Sequence, residues 1–88
     1  MADLENAMVH HKAGQIDLAK AGYEAVLAQE PRQPDALHML GILLVGQGEA
    51  EGGIACIQKA LSARPAFPMA WNNLGMVFAR LGRTAEAA

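Results

Sequence analysis

Apolar residues recur along this chain with the spacing of a helix face, and the pattern then repeats. Leu37, Leu40, Gly41 and Leu44 stand at i, i+3, i+4 and i+7, and so do Trp71, Leu74, Gly75 and Phe78. That spacing puts each set on one stripe of a 3.6-residue helix. The segments beside them carry stripes of their own: Ala19, Tyr23, Val26 and Leu27, then Gly53, Ile57, Ala60 and Leu61. A glycine follows the first member of each pair (Gly14, Gly48, Gly82), and prolines follow the second, in EPRQP at 30–34 and RPAFP at 64–68. Glycine accepts the left-handed backbone that often ends a helix, while proline stops one helix and suits the first turn of the next. This punctuation predicts helices near 2–13, 17–29, 34–47, 50–63 and 68–81, and a sixth that starts near Thr84 and is cut off.

The helix pairs are copies of one unit. WNNLGMVFARLGR at 71–83 lies 34 residues after LHMLGILLVGQGE at 37–49, and the same offset carries Pro31 to Pro65, Pro34 to Pro68, Ala36 to Ala70 and Leu27 to Leu61. A constant period of this size means stacked supersecondary units. The expected organisation is one domain over 1–88, with units near 1–33, 34–67 and a truncated 68–88. Glycine inside a helix costs about 1 kcal/mol against alanine, so its presence there needs a packing reason. Gly41 and Gly75 are expected where the second helix of a pair crosses the first. Gly53 and Ala19 are the matching small positions, and Leu37 and Trp71 fill the space beside them.

These residues resemble the tetratricopeptide repeat, whose units follow a W-x2-L-G-x2-Y, A-x3-F, P pattern. The third unit matches at Trp71, Leu74, Gly75, Phe78 and Ala87, and the second at Leu37, Leu40, Gly41, Leu44, Gly53, Ile57, Ala60 and Pro65. The first unit matches in its second helix (Ala19, Tyr23, Val26, Pro31). Its first helix departs, with Asp3, Asn6, Ala7 and His10 at the usual Trp, Leu, Gly and Tyr positions. That departure suits a polar amino-terminal capping unit. The resemblance implies an all-α fold, a right-handed solenoid of antiparallel helix pairs. It also suggests the front of a longer bacterial-type protein.

In the resembled family the first helices of successive units line a concave groove for a peptide or partner helix. Carried onto this chain, the groove positions are Leu4, Met8 and His11, then Asp35, His38, Ile42 and Val45, then Met69, Asn72, Asn73, Met76 and Arg80. Met8, Ile42, Val45 and Met76 would form an apolar floor, and methionine suits adaptable contact surfaces. The competing reading is that these residues pack on neighbouring units. The Lys/Asn carboxylate clamp of chaperone-tail binders is missing, because apolar residues stand at most of its positions. Asn73 fits once the asparagine that binds peptide backbone in another subtype.

Composition narrows the function further. Hydrophobic residues make up 52% and aromatics 5% of the chain, so the core must be aliphatic and alanine-rich, which favours closely packed helices over strands. The net charge is −2 with no basic cluster, so nucleic acid is not an expected ligand. No apolar run approaches the roughly 18 residues of a membrane span, and the N-terminus lacks a signal-peptide pattern. A cytoplasmic location is expected. Cys56 is the single cysteine and reads as a small semi-buried side chain. His10 and His11 are adjacent on a helix, without the i, i+4 spacing that lets two imidazoles share a metal. His10 is expected to replace the usual packing aromatic, and His11 to face solvent or the groove. GQGEAEGG at 46–53 is not a phosphate loop, having neither the glycine spacing nor a Lys-Ser/Thr pair. No catalytic residue, metal site or cofactor is expected, and the chain does not read as an enzyme. The leading expectation is a module that binds a protein or peptide. The alternatives are a structural or oligomerisation segment, self-associating through a partly uncovered Leu74–Phe78 face at the truncated end, and the non-catalytic arm of a larger transferase-like enzyme.

Overall fold

The computed structural model describes residues 2–82. They form α1 (Ala2–Lys12), α2 (Ile16–Gln29), α3 (Pro34–Gly46), α4 (Ala50–Ala63) and α5 (Pro68–Arg80), with no strand among the described residues. The predicted helices are all present, each end within one residue of its expected place. The sixth, near Thr84, lies outside the described residues.

Local chemistry accounts for the boundaries. Pro34 and Pro68 occupy the opening turns of α3 and α5, where their missing N–H is not needed. The Gln33 side chain accepts from the Ala36 N–H at 2.9 Å and caps α3. At the other ends, Gly14 and Gly48 adopt φ of +80° and +87°. Each reversal lets the next residue turn back onto the helix: the Gln15 N–H donates to His10 O and the Glu49 N–H to Leu44 O, both at 2.9 Å. Two of the orphan carbonyls are satisfied in this way, and the chain is launched into an antiparallel partner.

The hairpins α1–α2 and α3–α4 are closed by near-backbone contact. A Cβ added at Gly41 would lie 2.6 Å from Ile57 Cγ1 and 2.8 Å from the Gly53 carbonyl oxygen. One at Gly53 would lie 2.6 Å from the Gly41 oxygen. The two glycines therefore mark the α3–α4 crossing, as their spacing predicts. The first hairpin solves the same problem with the bulk exchanged. Ala7 stands at the Gly41 position, and a Cβ at Gly22 would come within 2.7 Å of the Ala7 methyl. The residue equivalent to Gly22 in the second hairpin is Cys56. A methyl gained on one helix is thus matched by a side chain lost on the other.

Two apolar clusters fill the stack. Leu4, Ala7, Tyr23, Val26, Leu40 and Leu43 belong to the first, and Ile54, Ile57, Leu61, Leu74, Val77 and Phe78 to the second. Tyr23 and Ile57 are fully buried. Arg64, at the end of α4, makes a forked contact with Asp35 at 3.2 and 3.4 Å, tying the two ends of that hairpin together at the surface. Pro31 and Pro65 are exposed in the connections, as their helix-stopping role requires.

Three expectations need correction. Trp71 does not fill a packed space: it is 55% exposed, and its Nε1–H donates to Pro65 O at 2.9 Å. Its repeat-mate Leu37 is buried, because α4 lies over it. Leu74 and Phe78, expected on an uncovered face, are buried within the second cluster, and it is Trp71 that remains exposed beside them. His10 does not replace a packing aromatic, since its Nδ1 pairs with Gln15 Oε1 at 2.8 Å near the surface. Gly75 meets no described residue within 4 Å, and the helix expected to cross it lies outside the described residues.

Candidate functional site

Successive first helices come together on one side of the stack. Ile42, Val45 and Gly46 of α3 face Asn73, Met76, Val77 and Arg80 of α5 across an open hollow of about 270 Å³. Ile42 and Gly46 are four residues apart on α3, and Asn73, Val77 and Arg80 are spaced four and three apart on α5, so each wall is one helix face. The floor is aliphatic. Met76 is 54% exposed and offers a flexible thioether at the rim. Arg80 supplies positive charge at the C-terminal end of α5, where the helix dipole favours it.

The structure gathers five of the twelve expected groove residues here: Ile42, Val45, Asn73, Met76 and Arg80. Met69 and Asn72 are exposed on α5, away from the hollow. Met8 is half-buried against the first cluster. His11 is turned inward: its Nδ1 lies 3.0 Å from the Tyr23 hydroxyl, and the rings meet edge-on at 5.9 Å. His38 is not a lining residue. It is 2% exposed, stacks edge-on against Phe67 at 4.9 Å and places Nε2 2.8 Å from Asn73 Nδ2. Burial pushes the His38 imidazole below its ordinary value, and the nearby Asp35 carboxylate partly offsets this. Leu4 is likewise buried in the core, and Asp35 is engaged by Arg64.

Sequence reasoning missed Gly46 and Val77 as lining residues. Both follow from the helix period, four residues beyond Ile42 and Asn73. A second hollow, of about 430 Å³, is lined by Gln58, Leu61 and Ser62 of α4 and Trp71, Leu74 and Phe78 of α5. By the repeat, this is the place that α4 occupies on the preceding helices.

Other chemistry is sparse. Among the described residues, no group of three His, Cys, Asp or Glu side chains is placed to hold a metal ion. No described helix is long and apolar enough to cross a membrane. Burial raises the Cys56 thiol pKa, against a smaller opposing effect of Lys59, which works against thiolate reactivity.

Comparison with known proteins agrees with this geometry. The profile of the tetratricopeptide repeat matches residues 38–88. The photosystem I assembly protein Ycf3 of Synechococcus sp. strain WH7803 is 36% identical, over 80% of this chain and 43% of that protein. The Ycf3 of strain CC9311 is 35% identical over the same shares. The chain thus spans less than half the length of these curated relatives. The crystal structure of MamA superposes with a TM-score of 0.91, covering 98% of this chain and 50% of that one at 22% identity, a likeness of fold. Period, helix-pair geometry and profile agree, and the chain belongs to the tetratricopeptide repeat family.

Proposed function

We propose that this chain is a non-catalytic protein-interaction module. Its α3–α5 groove recruits an extended segment of a partner protein, placing an apolar side chain over Ile42, Val45 and Met76 and a carboxylate beside Arg80. The observation that carries this reading is the hollow itself: aliphatic walls from two helices, an exposed methionine at the rim and a cation at one end. A concave apolar site with few polar groups is the usual form of a recognition site. The assembly role named for the Ycf3 relatives is consistent with a module that holds protein segments.

Selecting a peptide from a random library against the immobilised chain and measuring its affinity by fluorescence anisotropy tests this. The double variant Ile42→Glu, Met76→Glu should weaken binding by at least about tenfold, since each carboxylate would be forced into an apolar contact. The helical circular dichroism should be unchanged. Arg80→Ala should cost less, and its effect should fade at high salt as screening replaces the lost charge. Tight binding that ignores all three changes would rule the groove out.

A second reading is favoured by the hollow under Trp71. An exposed tryptophan beside a buried apolar cluster invites self-association. If copies of the chain associate there, light scattering will show a concentration-dependent oligomer that Trp71→Glu dissociates and Met76→Glu does not. A strict monomer at high concentration eliminates this reading.

A further inference from the structure

We propose that His38 is a positioning residue that sets the hydrogen-bonding polarity of the groove. Its buried imidazole accepts from Asn73 Nδ2, so that Asn73 presents its carbonyl oxygen to the bound segment. This deepens the groove reading and rests on it.

The donor direction follows from the atoms. An amide nitrogen of asparagine only donates, so with the amide oriented as it is here the 2.8 Å contact with Nε2 pairs it with an Nε2 that carries no proton, and a neutral ring then carries its proton on Nδ1. Burial and the edge-on contact with Phe67 at 4.9 Å hold the ring in place and keep Nε2 turned toward Asn73. Asn73 Oδ1 makes no hydrogen bond among the described residues. Among the described residues no buried side-chain oxygen or nitrogen lacks a partner, so Oδ1 is open to solvent, and Asn73 is a lining residue of the groove. The groove therefore offers an acceptor at the end of its aliphatic floor opposite Arg80, with Met76 and Val77 lying between the two along α5. It suits a segment that presents an N–H at that point, from its backbone or from an amide side chain.

Protonation would reverse the arrangement. An imidazolium must donate from Nε2, so the Asn73 amide would turn over, pairing Oδ1 with the ring and showing Nδ2 to the ligand. The acceptor becomes a donor, and the same segment is refused. Few charges surround the ring. Asp35, on α3 itself, is the charged group that acts on it. Arg64, at the end of α4, is tied to Asp35 and lies over the Phe67 ring at 4.9 Å. α5 contributes the neutral Asn73.

Long-range ¹H–¹⁵N spectra of the imidazoles in the free chain, with His38 assigned by its loss in His38→Gln, test the assignment without a ligand. The expected result is a proton on Nδ1 at pH 7.5, a titration midpoint below the ordinary value of 6.5, and Asn73 amide signals that move with that midpoint. A proton on Nε2, or Asn73 signals indifferent to the His38 titration, overturns the proposal. The peptide selected against the groove gives the second readout. Its affinity should fall by about tenfold across the midpoint measured for His38, the scale of one exchanged hydrogen bond. His38→Gln, which keeps an acceptor but does not titrate, should bind at pH 7.5 and lose that dependence. An equal fall in both proteins also overturns the proposal. If no selected peptide depends on Ile42 and Met76, the groove reading fails, and the imidazole spectra alone decide the role of His38.

Discussion

Gly41→Val should lower the stability of the chain by about 3 kcal/mol, the upper end of the usual cost of overpacking. The added Cβ alone would sit 2.8 Å from the Gly53 carbonyl oxygen and 2.6 Å from Ile57 Cγ1. A side chain could swing away, but the backbone of α4 cannot move without opening the whole hairpin. The better helix propensity of valine over glycine returns only a few tenths of a kcal/mol. Gly75 occupies the same place in the repeat and gives the opposite sign. No described residue stands within 4 Å of an added Cβ there, so Gly75→Ala should stabilise the chain by about 0.5–1 kcal/mol through propensity alone. Urea titrations of both variants, with unchanged slopes, would check the pair. Equal effects at the two glycines would mean that the α3–α4 crossing is not where the repeat is closed.

Tyr23→Ala should be the most damaging truncation in the first hairpin, costing about 3–5 kcal/mol as a large buried aromatic. The ring is fully buried among α1, α2 and α3 residues, and its hydroxyl engages His11 Nδ1 at 3.0 Å. Domains of this size are stable by only about 5–10 kcal/mol, so the variant should lose a large part of that margin and melt at least about 12 °C lower. Tyr23→Phe separates the two contributions. It keeps the packing and loses the hydrogen bond, for about 1 kcal/mol. Thermal melts that rank alanine and phenylalanine alike would show that the hydroxyl, not the ring, holds the hairpin.

Much of this architecture was legible because it is written twice. Pro34 and Pro68 open equivalent helices, Gly14 and Gly48 end equivalent ones, and Gly41 can be matched to Gly53 by spacing alone. Five groove residues could be placed because a helix face has a fixed period. What could not be read is how a conserved spacing behaves when its surroundings differ. Trp71 and Leu37 are repeat-mates, yet α4 covers Leu37 while Trp71 stays exposed. His38 has Leu4 and Asn72 as mates, and the three are a buried imidazole, a buried leucine and an exposed amide. Burial there depends on which helices follow, a tertiary property that one unit does not encode. His10 and His11 are neighbours about 100° apart on a helix, and only packing decides which meets Tyr23. The Ala7–Gly22 exchange was readable in principle, by setting those residues against Gly41 and Cys56.

Recruitment through the α3–α5 groove is tested most directly by titrating the selected peptide into chain labelled at methionine methyls and uniformly with ¹⁵N. The Met76 methyl should shift and saturate with the affinity found by anisotropy, while half-buried Met39, packed in the first cluster, and the Trp71 indole N–H stay still. A saturating shift at the Trp71 indole with Met76 unmoved would contradict the proposal and place the partner in the hollow between α4 and α5.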